Sequence, residues 1–411
     1  MTGDIISGEL AIQSVSFSTS QVRSVLAGVA CAALAFSWQF LTVRYNYRGN
    51  WTGLFCTGTH FAQPPQLAFE HIYPHAGTNG YDGQYYHYVA HDPFFQRGFQ
   101  RFVEGPRVRC RRILIPLAAH LAALGRDGQV DAAYFAVILL AVFCGAWWLS
   151  LLCVAQGFQP AWGLLFAAVP ATVTSIDRMT VDVGLAALCI AFALCATQGA
   201  TRRMYAVLAA AALVRETGLI LVAGYVVYQL LQRQFARALI FATSAWPALA
   251  WYAFVAAQTA PEAIHWLTVL PSGGGWFSLV PFQGLVARLL SPFRYRASPA
   301  VDSALVIADD IAILFIGLAM LVAILSAWKR ATGPIEIGLY LYALVAIFMP
   351  YQDAWLEVYG FGRVFSPLLI LAGLHGISRR KWIAIAPVLL VGGRTLLQLA
   401  PQTLRILEGA L

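Results

Sequence analysis

The chain has 411 residues, of which 59% are hydrophobic and only 11% charged, and its mean hydropathy is +0.67. A soluble domain carries about a quarter of its residues as charges, so this composition excludes an ordinary soluble protein and predicts a polytopic membrane protein. The formal net charge of +8 does not call for nucleic acid as a partner, because arginines between apolar runs orient helices in a bilayer or meet the phosphates of membrane lipids.

Residues 1–23 are polar with a single basic residue, and the apolar run Ser24 to Val43 is about long enough to span ~30 Å of hydrocarbon. It is expected to be an uncleaved first helix, with Ala33-Leu34-Ala35 leaving cleavage open. Residues 44–130 form a long polar and aromatic first loop, interrupted by the apolar stretch Ile113 to Leu124. That stretch is too short to cross a bilayer and is expected to lie at the interface. Further spans are predicted at 131–155, 161–176, 182–199, 203–214, 217–232, 237–257, 304–328, 335–350, 363–378 and 382–399, eleven with the first. A second outer loop, 258–303, holds the glycine-rich stretch Pro271 to Phe277, suited to a lid or a plain linker, and an amphipathic piece from Val280 to Leu290. The expected architecture is an all-α, single transmembrane domain over 1–399 with a C-terminal tail at 400–411.

Basic residues resist translocation and so report orientation. One set of connectors carries Arg202 and Arg203, Arg233 and Arg237, Lys329 and Arg330, and Arg379, Arg380 and Lys381; the opposite set carries only Arg178, Arg215 and Arg363. This alternation predicts a first loop on the extracytoplasmic side, and a C-terminus there as well.

Two predicted helices are short: 161–176 covers roughly 24 Å and 203–214 roughly 18 Å at ~1.5 Å per residue. Their outer ends carry Asp177, Arg178 and Asp182, and Arg215 and Glu216. A charge at bilayer depth costs at least ~2.5 kcal/mol unless it faces protein or a wet cavity, so both clusters are expected to line one. The alternative is a structural ion pair, such as Arg215 with Asp182. Of the seven cysteines, five fall in apolar runs, whereas Cys56 and Cys110 share the first loop and could form a disulfide if it faces an oxidising compartment.

The richest stretch is Gly80-Tyr81-Asp82-Gly83-Gln84-Tyr85-Tyr86, followed by the basic run Arg107, Arg109, Arg111 and Arg112. Asp-Gly alone reads equally as a tight turn. An acid early in a long first outer loop, followed by arginines and a short amphipathic helix, resembles the GT-C superfamily of membrane glycosyltransferases. The likeness is closest to bacterial multi-pass proteins with a YDGQ-type loop, and more distant to protein O-mannosyltransferases, lipid A aminoarabinose transferases and GPI mannosyltransferases. Thr180-Val181-Asp182-Val183, Leu213-Val214-Arg215-Glu216-Thr217-Gly218 and Gly362-Arg363-Val364-Phe365-Ser366-Pro367 resemble that superfamily's second acidic site, basic turn and late helix start.

The resemblance implies transfer of a sugar from a polyprenyl-phosphate carrier to a glycan, lipid or protein acceptor at the outer face of a bacterial inner membrane. Asp82 is then the general base. Arg215 and Arg363, with Arg178, Arg109 and Arg112 behind them, would hold the departing phosphate. Asp182 would orient or assist, and Tyr81, Gln84, Tyr85 and Glu216 complete the expected substrate-binding set. Tyr85 and Tyr86 could stack on a sugar or anchor in the membrane interface. Many members carry paired acids in this loop, but Asp82 stands between Tyr81 and Gly83, which weakens the case for a metal.

Six of the eight histidines lie between His60 and His120. His87 and His91 are one helical turn apart and could share a metal, but no Glu accompanies them and no third ligand is evident. They are therefore expected to be polar loop residues, with no cofactor. His87 with Asp92 also spells the HxxxxD pattern of some acyltransferases. A rival from another class is a transporter or flippase of a lipid-linked sugar, motivated by the same intramembrane charges.

Overall fold

The structure, a computed structural model, describes residues 19–259, 278–330 and 332–411. Its helices, in chain order, are α1 (Thr19–Asn46), α2 (Asp82–His91), α3 (Pro106–Arg109), α4 (Leu114–Ala122), α5 (Asp127–Ala155) and α6 (Pro170–Arg178). They continue as α7 (Asp182–Gln198), α8 (Thr201–Val214), α9 (Leu219–Leu231), α10 (Phe235–Ala242), α11 (Trp246–Gln258) and α12 (Gln283–Leu290). The last six are α13 (Pro299–Trp328), α14 (Pro334–Ile347), α15 (Asp353–Leu356), α16 (Val358–Arg379), α17 (Ala386–Leu397) and α18 (Ala400–Ala410). Among the described residues the only pairing of extended backbone is an isolated bridge between Gly58 and His75.

Five stretches are long and apolar enough to cross a membrane: α1, α5, α10 with α11, α13 and α16; a sixth arises if Trp382–Leu397 and α18, bent by 50°, count as one. Helices also occupy the shorter expected segments at α7, α8, α9 and α14. The segment 161–176 departs from expectation. It is a 3₁₀ run, Pro160–Ala168, followed by an extended Val169 and then α6. Pro170 disfavours a helical conformation in the residue before it and cannot donate a helical hydrogen bond. The broken backbone is repaired in part by Ser366 of α16, whose Oγ accepts from the Ala171 N–H at 2.9 Å.

α16 runs through the centre, buried along most of its length and packed on α6, α7, α13, α14 and α17. Its first turns carry Arg363 and its end carries Arg379, about 24 Å away at ~1.5 Å per residue. At the Arg379 end, Lys329, Arg330, Arg379 and Lys381 line one polar cavity, so connectors from the predicted basic set gather at the end of the bundle opposite Arg363.

The stretch 113–124 forms α4, which rests on α2 and α5 and leaves Leu121 and Leu124 exposed. The glycine-rich stretch 271–277 lies outside the described residues, while the amphipathic piece after it is α12, whose buried Arg288 pairs with Asp310 of α13. The expected tail at 400–411 is instead a helix docked on α1. Gln402 donates to Asp177 Oδ1 at 2.8 Å and its carbonyl accepts from Asn46 at 3.3 Å.

Candidate functional site

All ten residues of α2 are buried, although it is among the most polar helices of the chain. Asp82 opens it, after an extended Tyr81 (φ −140°, ψ 172°), so the Asp-Gly pair starts a helix and is not a hairpin turn. A carboxylate there also suits the positive end of the helix dipole. The flanking glycines are dictated by contact. A Cβ on Gly83 would stand 2.1 Å from the Arg178 carbonyl oxygen, and one on Gly80, whose φ is +72°, would stand 2.5 Å from that of Cys56. Gln84 locks the same corner, donating to the Asn79 carbonyl at 2.8 Å and accepting from Gly58 N–H at 3.1 Å. Its amide shapes the loop that presents Asp82.

Asp82 is the meeting point of three guanidinium groups. Arg109 Nε donates to Oδ1 at 3.0 Å, Arg363 Nη1 donates to Oδ2 at 2.5 Å, and Arg112 Nη1 lies 3.9 Å from Oδ2. Arg363 also stands 3.9 Å from Asp182, which is paired with Arg215. Arg112 grips Glu216 with two nitrogens, at 2.6 and 2.9 Å, and donates to Tyr86 Oη at 2.7 Å. The ends of α7 and α8 thus abut through the Asp182–Arg215 ion pair, and Arg363 extends that pair to Asp82. The side chains close on one another: Asp182 is 2% exposed and Arg215 8%, while Arg109 at 22% and Glu104 at 55% form the accessible rim. Burial alone would raise the Asp82 pKa, but the positive charges of Arg363, Arg109 and Arg112 outweigh it and hold the carboxyl well below the usual carboxylate range.

Arg178 belongs to a neighbouring cluster. It lies 3.1 Å from Asp177 and 3.3 Å from the Cys56 sulfur, over the ring of Tyr359. Tyr359 meets Tyr81 edge-on at 6.0 Å, and Arg363 lies over the Tyr81 ring. Tyr85 sits beneath Arg109 with its hydroxyl 3.4 Å from Glu104, and Tyr86 is fully buried. Neither tyrosine anchors in a membrane interface, since both hold arginines from inside the protein. Cys56 and Cys110 are free and buried, so the disulfide that their shared loop left open is not formed in this structure. They pack against different elements, Cys56 on Arg178 and Cys110 beside Trp251 of α11, which donates to its carbonyl at 2.9 Å.

Sequence reasoning missed Glu357, immediately before α16. Its carbonyl accepts from the Phe361 N–H at 3.0 Å, but its carboxylate pairs with none of the described residues, and burial pushes that carboxyl above the ordinary range, only partly offset by Arg363 and Arg178. No local motif marks it, because its neighbours come from distant segments. The histidines also differ from expectation. His87 and His91 are buried and meet Glu70 and Asp131, with one ligand atom from each residue lying within 4.8 Å of all the others. Asp92 takes no part, as its oxygens accept from the backbone N–H groups of Gln96, Arg97 and Phe99. The HxxxxD pair is therefore split between two structural tasks.

No family model, curated protein or solved structure matches the chain.

Proposed function

We propose that the protein is a GT-C-type glycosyltransferase with eleven membrane spans. It moves a sugar from a polyprenyl-phosphate-type carrier to a glycan, lipid or protein acceptor on the extracytoplasmic face of a bacterial inner membrane. The observation that carries this is the convergence on Asp82 of Arg109, Arg112 and Arg363, continuous with Asp182, Arg215 and Glu216. Here four guanidinium groups crowd the carboxylates of Asp82, Asp182 and Glu216, with Glu104 pairing Arg109 at the rim, and an incoming phosphodiester would compete with those acids for the arginines. Planar guanidinium groups also suit the oxygens of a phosphate.

The same geometry gives Asp82 a mechanism for becoming basic. Surrounded by cations it is a weak base; a phosphate that draws Arg363 and Arg112 to itself removes the charges that suppress its proton affinity. The acceptor hydroxyl then passes its proton to Asp82 as its oxygen bonds to the anomeric carbon. The bond from that carbon to the phosphate oxygen breaks, its electron pair leaves with the phosphate, and the arginines stabilise the growing charge. Attack opposite the leaving group inverts the anomeric centre.

The test is purified protein in lipid nanodiscs with a short-chain polyprenyl-phosphate hexose or pentose and a soluble sugar acceptor. Asp82→Asn is expected to bind the donor yet release carrier phosphate about 10²–10⁴-fold more slowly than wild type. Wild type that exchanges the lipid between leaflets without cleaving it would establish the flippase instead.

A further inference from the structure

We propose that Glu70, His87, His91 and Asp131 form a structural site for a divalent transition metal of the zinc class, clamping the polar first loop to the apolar helix α5. The four residues come from three separate elements. Glu70 ends the 3₁₀ turn Pro65–Glu70, His87 and His91 project from one face of α2 a turn apart, and Asp131 stands near the start of α5. His87 Nε2 is 3.1 Å from Glu70 Oε2 and 2.8 Å from Asp131 Oδ1; His91 Nε2 is 3.0 Å from Glu70 Oε1 and 3.7 Å from Asp131 Oδ1. Ligand atoms around a tetrahedral zinc with bonds of about 2.0–2.2 Å stand about 3.3–3.6 Å apart; these five atoms, one from each residue within 4.8 Å of all the others, are already close to that arrangement.

The alignment of these contacts points the same way. Both Glu70 oxygens, Nε2 of each histidine and Asp131 Oδ1 are buried, and none has a hydrogen-bond partner despite the short separations. They are close but off the hydrogen-bond axis, as groups directed at a common centre are. Buried polar atoms are otherwise almost always paired. One of the two imidazoles is also held from behind, while Nδ1 of His87 has no hydrogen-bond partner. His91 Nδ1 lies 3.0 Å from Asp127, which is itself held by Arg97 at 2.7 Å, leaving Nε2 to face the centre. His87 is stacked on Phe55, with ring centroids 4.1 Å apart and planes 10° from parallel, which fixes its imidazole plane.

Ligand chemistry selects the metal class. Two imidazoles and two carboxylates without a thiolate suit zinc and its neighbours, whereas calcium and magnesium take oxygen donors. The two carboxylates offset the dication's charge. Four protein ligands close the shell, the pattern of a structural site and not of one that binds water for chemistry. His87 is also five residues from Asp82, about 7.5 Å along α2, so the ion would hold the helix that presents Asp82 without touching the substrate. This assignment stands whether or not the protein transfers sugars.

The experiment is metal analysis of the full chain, purified in detergent without a polyhistidine tag and dialysed against Zn²⁺ and then against metal-free buffer. Wild type is expected to retain about one equivalent of zinc, and the isosteric double variant Glu70→Gln/Asp131→Asn below about a tenth. Chelation should lower the melting temperature of wild type, with Zn²⁺ restoring it. Should the double variant aggregate, Asp127→Asn leaves all four ligands in place and is expected to bind zinc about 10–100-fold more weakly. Wild type that retains no zinc, a folded double variant with undiminished content, or an Asp127→Asn protein of unchanged affinity overturns the proposal.

Discussion

The buried Asp82 and the half-buried Glu357 are both acids near Arg363, yet their surroundings drive them in opposite directions. For Asp82 the three guanidinium groups prevail over burial and depress the pKa. Its contribution to stability is therefore complete above the unfolded value of about 3.9 and is lost as pH falls through the lower folded value. Asp82→Asn should cost about 3 kcal/mol at neutral pH by leaving buried arginines under-paired, seen as a lower melting temperature in thermal scans. For Glu357 burial prevails and raises the pKa. Its charged form is the strained one, so it destabilises the fold as pH rises through that raised value. Glu357→Gln should raise the melting temperature at pH ~7.5, with the gain vanishing below pH ~4. A lower melting temperature for this variant at pH ~7.5 would mean that the arginines hold Glu357 as firmly as they hold Asp82.

Among the elements, α2 does most to position the candidate site, and its placement depends on the absence of a side chain at residue 83. Gly83→Ala would force a methyl group to 2.1 Å from the Arg178 carbonyl oxygen, a backbone atom that cannot rotate away. The expected outcome is a displaced α2 and a severe loss of monodisperse protein in gel filtration; a well-folded Gly83→Ala would refute this packing. α18 tests a different kind of dependence. Its Gln402 donates to Asp177, the partner of both Tyr359 and Arg178. Gln402→Ala should cost about 1.5 kcal/mol for a hydrogen bond to a charged group, and removal of 400–411 should cost more, both read from thermal unfolding. Neither effect was foreseeable from a segment with the composition of a tail, because the partners of α18, among them Asn46, Tyr47 and Asp177, come from remote parts of the chain.

For the molecule as a whole, the orientation we propose makes a direct prediction. Native thiols in the first loop are buried and would report nothing, but Ala76 in that loop and Thr201 at the start of α8 are exposed. Ala76→Cys should react with an impermeant maleimide in intact cells, and Thr201→Cys only after permeabilisation; the reverse pattern would invert the topology. Much of the architecture was legible beforehand. Apolar run lengths marked helical segments, charge alternation separated the Arg363 end of α16 from the Arg379 end, and the short spans located the charges of Asp182 and Arg215, which form the ion pair held as the alternative to a wet cavity. These are properties of local composition and of the high cost of burying charge, which any stretch of chain expresses alone. What folding decided is which distant groups share a space. Glu70 and Asp131 join His87 and His91, Glu357 comes near Arg363, and Gln84 ties Asn79 to Gly58. The physical reason is that ion pairs and ligand shells are specified by distances of about 3 Å between atoms, which arise only when helices from remote parts of the chain are packed together.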